Sequence, residues 1–88
     1  MSYRVTWEQD AADALDKLDV TVIQRILIRI NWLAQNLDNI KPQALAGTLK
    51  GYFKLRAGNY RIIYAINRGE KEIVIEYIGH RREIYKLP

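Results

Sequence analysis

The sequence contains no cysteine, and this absence excludes several kinds of chemistry at once. Without a thiol the chain can form no disulfide framework, no thiolate nucleophile and no cysteine-based zinc site. A chain that needs no disulfides suits the reducing cytosol, so we expect a cytoplasmic location. A membrane span is not expected, because no run approaches the roughly 18 consecutive apolar residues that a span requires. The first residues also lack the apolar segment of a signal peptide.

Other side chains that enzymes commonly use are scarce as well. Ser2 is the only serine and His80 the only histidine, so neither a Ser-His-Asp triad nor a metal-binding cluster is expected. The chain has no glycine-rich phosphate loop. The side chains that remain for chemistry are those of Lys, Arg, Tyr and the single His. This set suits the handling of a phosphodiester without a metal ion or an organic cofactor.

The positive charge is concentrated in the C-terminal half of the chain. Residues 1–49 carry five Lys and Arg against six Asp and Glu, whereas residues 50–88 carry nine against four, and the net charge is +4. A basic surface of this kind attracts RNA, DNA or an acidic protein partner. It can equally be an ordinary solvated surface, and charge alone does not decide between these interpretations.

The N-terminal half predicts a strand followed by two helices. Side chains alternate within residues 2–7 as they do in a strand. Two capping-box patterns, which begin at Thr6 and Thr21, predict two helix starts. Apolar residues recur at helical spacing over residues 22–37, and Trp32 is predicted to lie in the core with them. Because the link between the helices is short, we expect a helical hairpin.

The C-terminal half predicts a sheet. Strands are expected over residues 51–57, 60–67 and 72–79, and a short last strand or extended tail over residues 83–87. The order is then β-α-α-β-β-β, and residues 1–88 are predicted to form one α+β domain. In this fold the two-helix hairpin covers one face of a small, mostly antiparallel, twisted sheet. The other face is left to solvent or to a ligand.

The dipeptide Gly58-Asn59 lies between two alternating runs and predicts a two-residue β-hairpin. The expected pairs across the turn are Ala57 with Tyr60, Arg56 with Arg61, Leu55 with Ile62 and Lys54 with Ile63. Lys54, Arg56 and Arg61 then share the sheet face that the helices do not cover. Like charges that lie directly opposite each other destabilise a hairpin, so this crowding of cations indicates a bound anion.

A second basic cluster, at residues 79–85, completes a resemblance that spans almost the whole chain. The sequence resembles the RelE/ParE superfamily of toxins from toxin–antitoxin pairs. The resemblance rests on the two-helix hairpin and on three motifs, Leu45-x-Gly47, Lys54-Leu55-Arg56-x-Gly58-x-Tyr60-Arg61-x-x-Tyr64 and Gly79-His80-Arg81-Arg82-Glu83-Ile84-Tyr85. RelE-like members cleave mRNA in the ribosomal A site, whereas ParE-like members inhibit DNA gyrase on a similar fold. The shared fold therefore does not fix the function.

The resemblance implies four catalytic residues, which are Lys54, Arg61, Arg81 and Tyr85. Lys54 would deprotonate the 2′-hydroxyl of the RNA, and Arg61 would stabilise the negative charge of the transition state. Arg81 would stabilise the leaving 5′-oxygen. Tyr85 would stack on an unpaired base, as aromatic side chains do in RNA complexes.

Three further residues are expected to contact RNA, namely Arg56, His80 and Arg82. His80 is also an alternative to Arg81 as the group that assists the leaving oxygen, because histidine titrates near neutral pH. Strand alternation places its side chain on the opposite face from Arg81 unless the chain bulges nearby. The sequence departs from the best-known RelE-like members at Tyr52, where they carry a second lysine.

The function that this resemblance implies is that of a ribosome-dependent mRNA endonuclease, with the 2′-hydroxyl as nucleophile and no metal or cofactor. Its partners would be the ribosome with its mRNA and a cognate antitoxin protein. The alternatives are a gyrase-inhibiting toxin of the ParE type without nuclease activity, and a binding module whose basic face is not catalytic.

Overall fold

The structure is a computed structural model, and it describes residues 2–84. Its helices and strands, in chain order, are β1 (Arg4–Trp7), α1 (Gln9–Asp16), α2 (Val20–Asn36), β2 (Gln43–Ala44), β3 (Phe53–Ala57), β4 (Tyr60–Asn67), β5 (Glu72–His80) and α3 (Arg81–Ile84). Single 3₁₀ turns occupy Leu37–Asn39 and Gly47–Leu49.

The five strands form one sheet in the order β1-β5-β4-β3-β2. β1 is parallel to β5, and every other neighbouring pair is antiparallel. The α+β class and the mostly antiparallel sheet are therefore confirmed. The predicted element order omitted the two-residue strand β2 and the helix α3, both of which are too short to give a periodic signal.

The predicted strand or tail at residues 83–87 is wrong where the structure describes it. Glu83 and Ile84 lie in α3, and the remainder of that segment lies outside the described residues. The side chain of His80 explains the helical turn, because its Nδ1 accepts a hydrogen bond from the backbone N–H of Arg82 at 3.2 Å. That contact satisfies a free N–H group at the start of the helix.

The core lies between the helices and one face of the sheet. From α2 it takes Ile26, Ile30 and Leu33, and from the strands it takes side chains that alternate with outward-facing ones. The strand residues of this core are Leu55, Ala57, Ile62, Tyr64, Ile73, Ile75 and Ile78. Burial raises the pKa of the Tyr64 hydroxyl to about 12, so this side chain is a neutral part of the core at physiological pH.

Both predicted capping boxes are wrong. Thr6 stays in β1, and its hydroxyl donates to the carboxylate of Glu72 on β5 at 3.0 Å, so it does not cap α1. α2 starts earlier than predicted, because the carboxylate of Asp19 accepts a hydrogen bond from the backbone N–H of Thr21 at 3.1 Å. Asp19 is thus the N-cap residue, in a role that acidic side chains fill well.

The prediction that Trp32 lies in the core is also wrong, because 39% of this residue is exposed. The guanidinium of Arg29 lies 4.7 Å from the centre of its ring, at the distance of a cation–π contact. Within residues 2–84, no helix is long and apolar enough to cross a membrane.

Candidate nucleic-acid interface

The β3–β4 hairpin has the register that the Gly58-Asn59 turn predicted. Lys54 pairs with Ile63, Arg56 with Arg61 and Leu55 with Ile62. Because Leu55 and Ile62 face the helices, Lys54, Arg56, Arg61 and Ile63 alternate onto the other side of the sheet, here called the outer face. On that face Lys54 is half-buried and Arg56 is exposed.

Arg61 is buried, with only 4% of its surface accessible. One of its terminal nitrogens, Nη1, donates to the carbonyl oxygens of Gly58 and Tyr60, each at 2.9 Å. Its Nε has no hydrogen-bond partner within residues 2–84. The guanidinium therefore binds the backbone of the hairpin, and a direct contact with a phosphate would require the turn to open.

The second basic cluster meets the first at one end of the sheet. The backbone N–H of Arg81 donates to the carbonyl oxygen of Asn59 at 2.8 Å, so α3 starts against the β3–β4 turn. Arg81 and Arg82 are both exposed there. Tyr85 lies outside the described residues, and its expected role remains a prediction.

His80 belongs to the other side of the sheet from Lys54. It pairs with Tyr60, and the two rings meet edge to face with their centres 5.5 Å apart. It lines a cavity with Lys17 and Leu18, the residues that follow α1. The bulge that would have moved it to the outer face is absent at Gly79, which pairs in register with Arg61. The structure thus does not bring His80 together with Lys54.

A cleft of about 260 Å³ lies at the edge of the sheet, between α2 and β3, and is called the edge cleft below. Its cationic lining residues are Arg29, Lys41, Lys54 and Arg56, and none of its described lining residues is acidic. Arg29 is fixed there because its Nε donates to the carbonyl oxygen of Arg56 at 3.0 Å. A cleft lined by one sign of charge concentrates ligands of the opposite charge.

Arg29 and Lys41 were not among the residues predicted from the sequence. Arg29 lies in α2 and Lys41 lies between α2 and β2, so neither is near Lys54 in the chain. The sequence held no signal for them, because Trp32, the aromatic residue beside Arg29, was itself predicted to lie in the core.

A pocket of about 370 Å³ opens on the outer face, and we call it the outer-face pocket. Its lining residues are Thr48, Leu49, Tyr52, Ile63, Glu76 and Tyr77. Tyr52, which stands where the best-known relatives carry a second lysine, is therefore a wall of this pocket. Partial burial raises the pKa of the Glu76 carboxyl, and the negative charge of nearby Glu8 adds to the rise.

Metal-binding geometry is not found in the described part of the chain. Within residues 2–84, no group of three or more His, Cys, Asp or Glu side chains is placed to hold a metal ion. The chemistry available at the outer face and the edge cleft is that of lysine, arginine and tyrosine, together with the carboxylate of Glu76.

Comparison with known families finds one match over most of the chain. The family described as the ParE toxin of the type II toxin–antitoxin system parDE matches residues 5–85. No curated protein sequence matches this chain significantly.

Solved structures with the same fold come from both bacteria and archaea. A chain of the RelBE toxin–antitoxin complex of Mycobacterium tuberculosis is 26% identical and superposes with a TM-score of 0.82, with 92% of this chain and 93% of that chain covered. A chain of the archaeal RelE–RelB complex of Pyrococcus horikoshii is 27% identical, with a TM-score of 0.73 and coverages of 92% and 97%. The isolated Escherichia coli RelE toxin shares the fold at 22% identity and a TM-score of 0.74, with coverages of 96% and 92%.

Proposed function

This chain belongs to the RelE/ParE superfamily of toxins from type II toxin–antitoxin systems, and from that premise we propose that it is an endoribonuclease that cleaves mRNA on the ribosome. The main support for the proposal is the hydrogen bond between the backbones of Arg81 and Asn59. It brings the basic cluster at the C-terminus next to the basic β3–β4 hairpin. Such a surface tracks the phosphates of a single strand. The likeness to RelE structures at more than a quarter identity supports the same activity.

The proposed reaction uses the substrate's own nucleophile. Lys54 accepts the proton of a 2′-hydroxyl, and the 2′-oxygen attacks the adjacent phosphorus. The bond from phosphorus to the 5′-oxygen then breaks, which leaves a 2′,3′-cyclic phosphate on one fragment. The departing 5′-oxygen takes a proton from water and becomes the 5′-hydroxyl of the other fragment.

The arginines act on the charge that develops during this step. Arg56 and Arg81 are exposed and can bind the non-bridging oxygens and the leaving oxygen, where a guanidinium stabilises negative charge most effectively. Arg61 acts as a positioning residue, because its hydrogen bonds to Gly58 and Tyr60 hold the turn against which α3 starts. Arg82 and the lysine and arginine residues of the edge cleft would bind flanking phosphates.

The proposed partners follow from the same surface. The ribosome would present the mRNA in a reactive geometry, which lowers the demand on a small catalytic group set. A cognate antitoxin would neutralise the toxin, in keeping with the RelE–RelB complexes among the similar structures. Both partners belong to the cytoplasm, where we place this protein.

Inhibition of DNA gyrase without nuclease activity is the second candidate function. It is favoured by the match to the family described as the ParE toxin. Two features of the site also favour it, namely the replacement of a lysine by Tyr52 and the burial of Arg61. The first leaves one group fewer for general acid–base chemistry, and the second leaves one guanidinium fewer to stabilise the charge of the transition state.

The two functions separate in one pair of assays. Purified ribosomes translate a reporter mRNA with the toxin present, and primer extension maps any cleavage; in parallel, gyrase supercoils a relaxed plasmid with the toxin present. We expect cleavage within the A-site codon that is lost in Lys54→Ala and retained in Lys17→Ala, a matched change of an exposed lysine beside α1. Intact mRNA together with blocked supercoiling would show that the protein inhibits gyrase and is not a nuclease.

A further inference from the structure

The outer-face pocket has a floor and walls of different chemistry. Ile63 forms the floor and is 2% exposed although it lies outside the core cluster. Tyr52 and Tyr77 are half-buried lining residues, so each remains partly accessible to solvent. The volume of about 370 Å³ falls in the range of small-molecule sites, about 300–1,000 Å³. The pocket is therefore large enough for a flat aromatic ligand.

Gly79 makes room for the ring of Tyr77 on this face. A Cβ atom at Gly79 would lie 2.7 Å from Cε2 and 2.9 Å from the hydroxyl oxygen of Tyr77, which is closer than real side chains approach. The ring thus lies along the backbone of β5, over a position without a side chain. This packing holds the wall of the pocket in one orientation.

Glu76 and its neighbour Tyr77 both line the pocket because β5 bulges at Glu76. Ile63 pairs with Tyr77 and Tyr64 pairs with Ile75, so Glu76 has no residue opposite it in β4. A bulge of this kind re-aims a side chain and is common beside functional sites. The result is a pocket lined by one carboxylate and two tyrosines, whose other described lining residues carry no charge.

These groups select a ligand by its chemistry. Tyrosine rings stack on unpaired nucleobases, and an ionised carboxylate only accepts hydrogen bonds. Guanine presents two adjacent N–H donors on its Watson–Crick edge, at N1 and N2, which match the two oxygens of a carboxylate. Adenine and cytosine present a single amino group beside an acceptor. We propose that the outer-face pocket binds a guanine base of the RNA, stacked against Tyr52 and Tyr77 and hydrogen-bonded to Glu76.

The pocket adjoins the proposed cleavage site. Lys54, Ile63 and Tyr77 are consecutive cross-strand neighbours, and residues directly opposite each other have Cβ atoms about 4.5–5.5 Å apart. A nucleotide whose base fills the pocket can therefore place its phosphate at Lys54. This base preference would act during mRNA cleavage, so its role in the cell rests on the proposed function.

Binding is tested on the free toxin, without ribosomes. Amide NMR signals are followed while GMP or IMP is added, because IMP differs from GMP only by the missing N2 amino group. We expect GMP to shift the signals of Tyr52, Glu76 and Tyr77, and IMP to bind about tenfold more weakly, the effect of about 1.4 kcal/mol. Glu76→Gln should bind the two nucleotides equally, since its amide offers one acceptor. Glu70→Gln, at an exposed glutamate in the β4–β5 turn, should keep the preference.

Several results would overturn the inference. Equal binding of GMP and IMP by the unchanged protein would do so, as would shifts confined to arginines, which indicate phosphate binding alone. A preference that persists in Glu76→Gln would also exclude the proposed contact. The two proposals fail separately: mRNA cleavage without guanine binding removes only the pocket assignment, and guanine binding without cleavage removes only the nuclease.

Discussion

The backbone N–H of Arg81 donates to the carbonyl oxygen of Asn59 at 2.8 Å, and this one bond joins the two basic clusters of the chain. Asn59 lies in the β3–β4 turn, whereas Arg81 begins α3 after the last strand. The exposed Arg56, Arg81 and Arg82 consequently lie at the same end of the sheet as the turn that Arg61 stabilises.

Lys54→Arg tests whether Lys54 acts as a base or only as a positive charge. Arginine keeps the charge but cannot give up its proton in this pH range, so it cannot accept the proton of a 2′-hydroxyl. General base catalysis contributes about 10²–10⁴ in rate, and we expect mRNA cleavage to fall by about 100-fold or more. Cleavage is measured with purified ribosomes, and retention of ribosome binding shows that the surface is intact. Unchanged cleavage in Lys54→Arg would assign Lys54 an electrostatic role.

Arg61→Ala and Arg56→Ala form a matched pair, because the two residues lie opposite each other in the hairpin. Arg61 is buried and donates to two carbonyl groups, so its removal leaves those acceptors unsatisfied and should lower the free energy of unfolding by about 2–3 kcal/mol. Arg56 is exposed, and its removal should change stability by less than about 0.5 kcal/mol. The free energy of unfolding of each variant is to be measured by urea denaturation. Equal losses would show that Arg61 does not hold the turn.

The β3–β4 hairpin could be predicted from the sequence because its information is local. The Gly58-Asn59 turn fixes the pairing of the residues on either side, and the strand Tyr60–Asn67 follows from it. The start of α1 could not be read in the same way, since Thr6 is held in β1 by pairing with β5, far away in the chain. Capping patterns describe only the neighbouring residues, so they missed this competition.

The candidate site was predictable in part. Alternation assigned Lys54, Arg56 and Arg61 to one face, but it gives no information on whether a long side chain turns back onto its own hairpin, as that of Arg61 does. Arg29 reaches the edge cleft through tertiary packing, and a bulge at Glu76 brings the adjacent residues Glu76 and Tyr77 into the same outer-face pocket. A sequence pattern with a strict period of two cannot reveal a bulge.

Gly79→Ala tests the packing of Tyr77 on β5. The new methyl group would lie within 3 Å of the Tyr77 ring, so the ring must move, and overpacking of this kind costs about 1–3 kcal/mol. We expect the free energy of unfolding to fall by an amount at the lower end of that range, and the NMR signals of Tyr77 to shift. Gly69→Ala is the control, because its nearest neighbour, Asn67 Oδ1, lies at an ordinary 3.6 Å. Tyr77 signals that are the same in both variants would contradict this packing.

Asp38 should make stability depend on pH in the acid range. Its carboxylate accepts hydrogen bonds from the hydroxyl of Tyr3 at 2.7 Å and from Lys71 at 3.3 Å, and it pairs with Arg68 at 3.3 Å. The hydrogen bond from Tyr3 is the largest cause that holds the pKa of Asp38 below the ordinary value of 3.8. A carboxyl whose pKa is lower in the folded state stabilises the fold above the unfolded-state pKa, and this contribution is lost as the pH falls through the folded-state pKa.

The variant Asp38→Asn isolates this contribution, because it removes the charge and keeps an acceptor. At about pH 7 it should be less stable than the unchanged protein, and the difference should shrink as the pH falls below the ordinary carboxyl pKa of 3.8, because protonation then removes the same charge from Asp38. Asp16→Asn, at an exposed carboxylate that ends α1, should show no comparable trend. The measurement is the urea midpoint of each variant at neutral pH and at a series of pH values below 3.8. A stability difference that stays constant between them would show that the Asp38 charge does not contribute through Tyr3, Arg68 and Lys71.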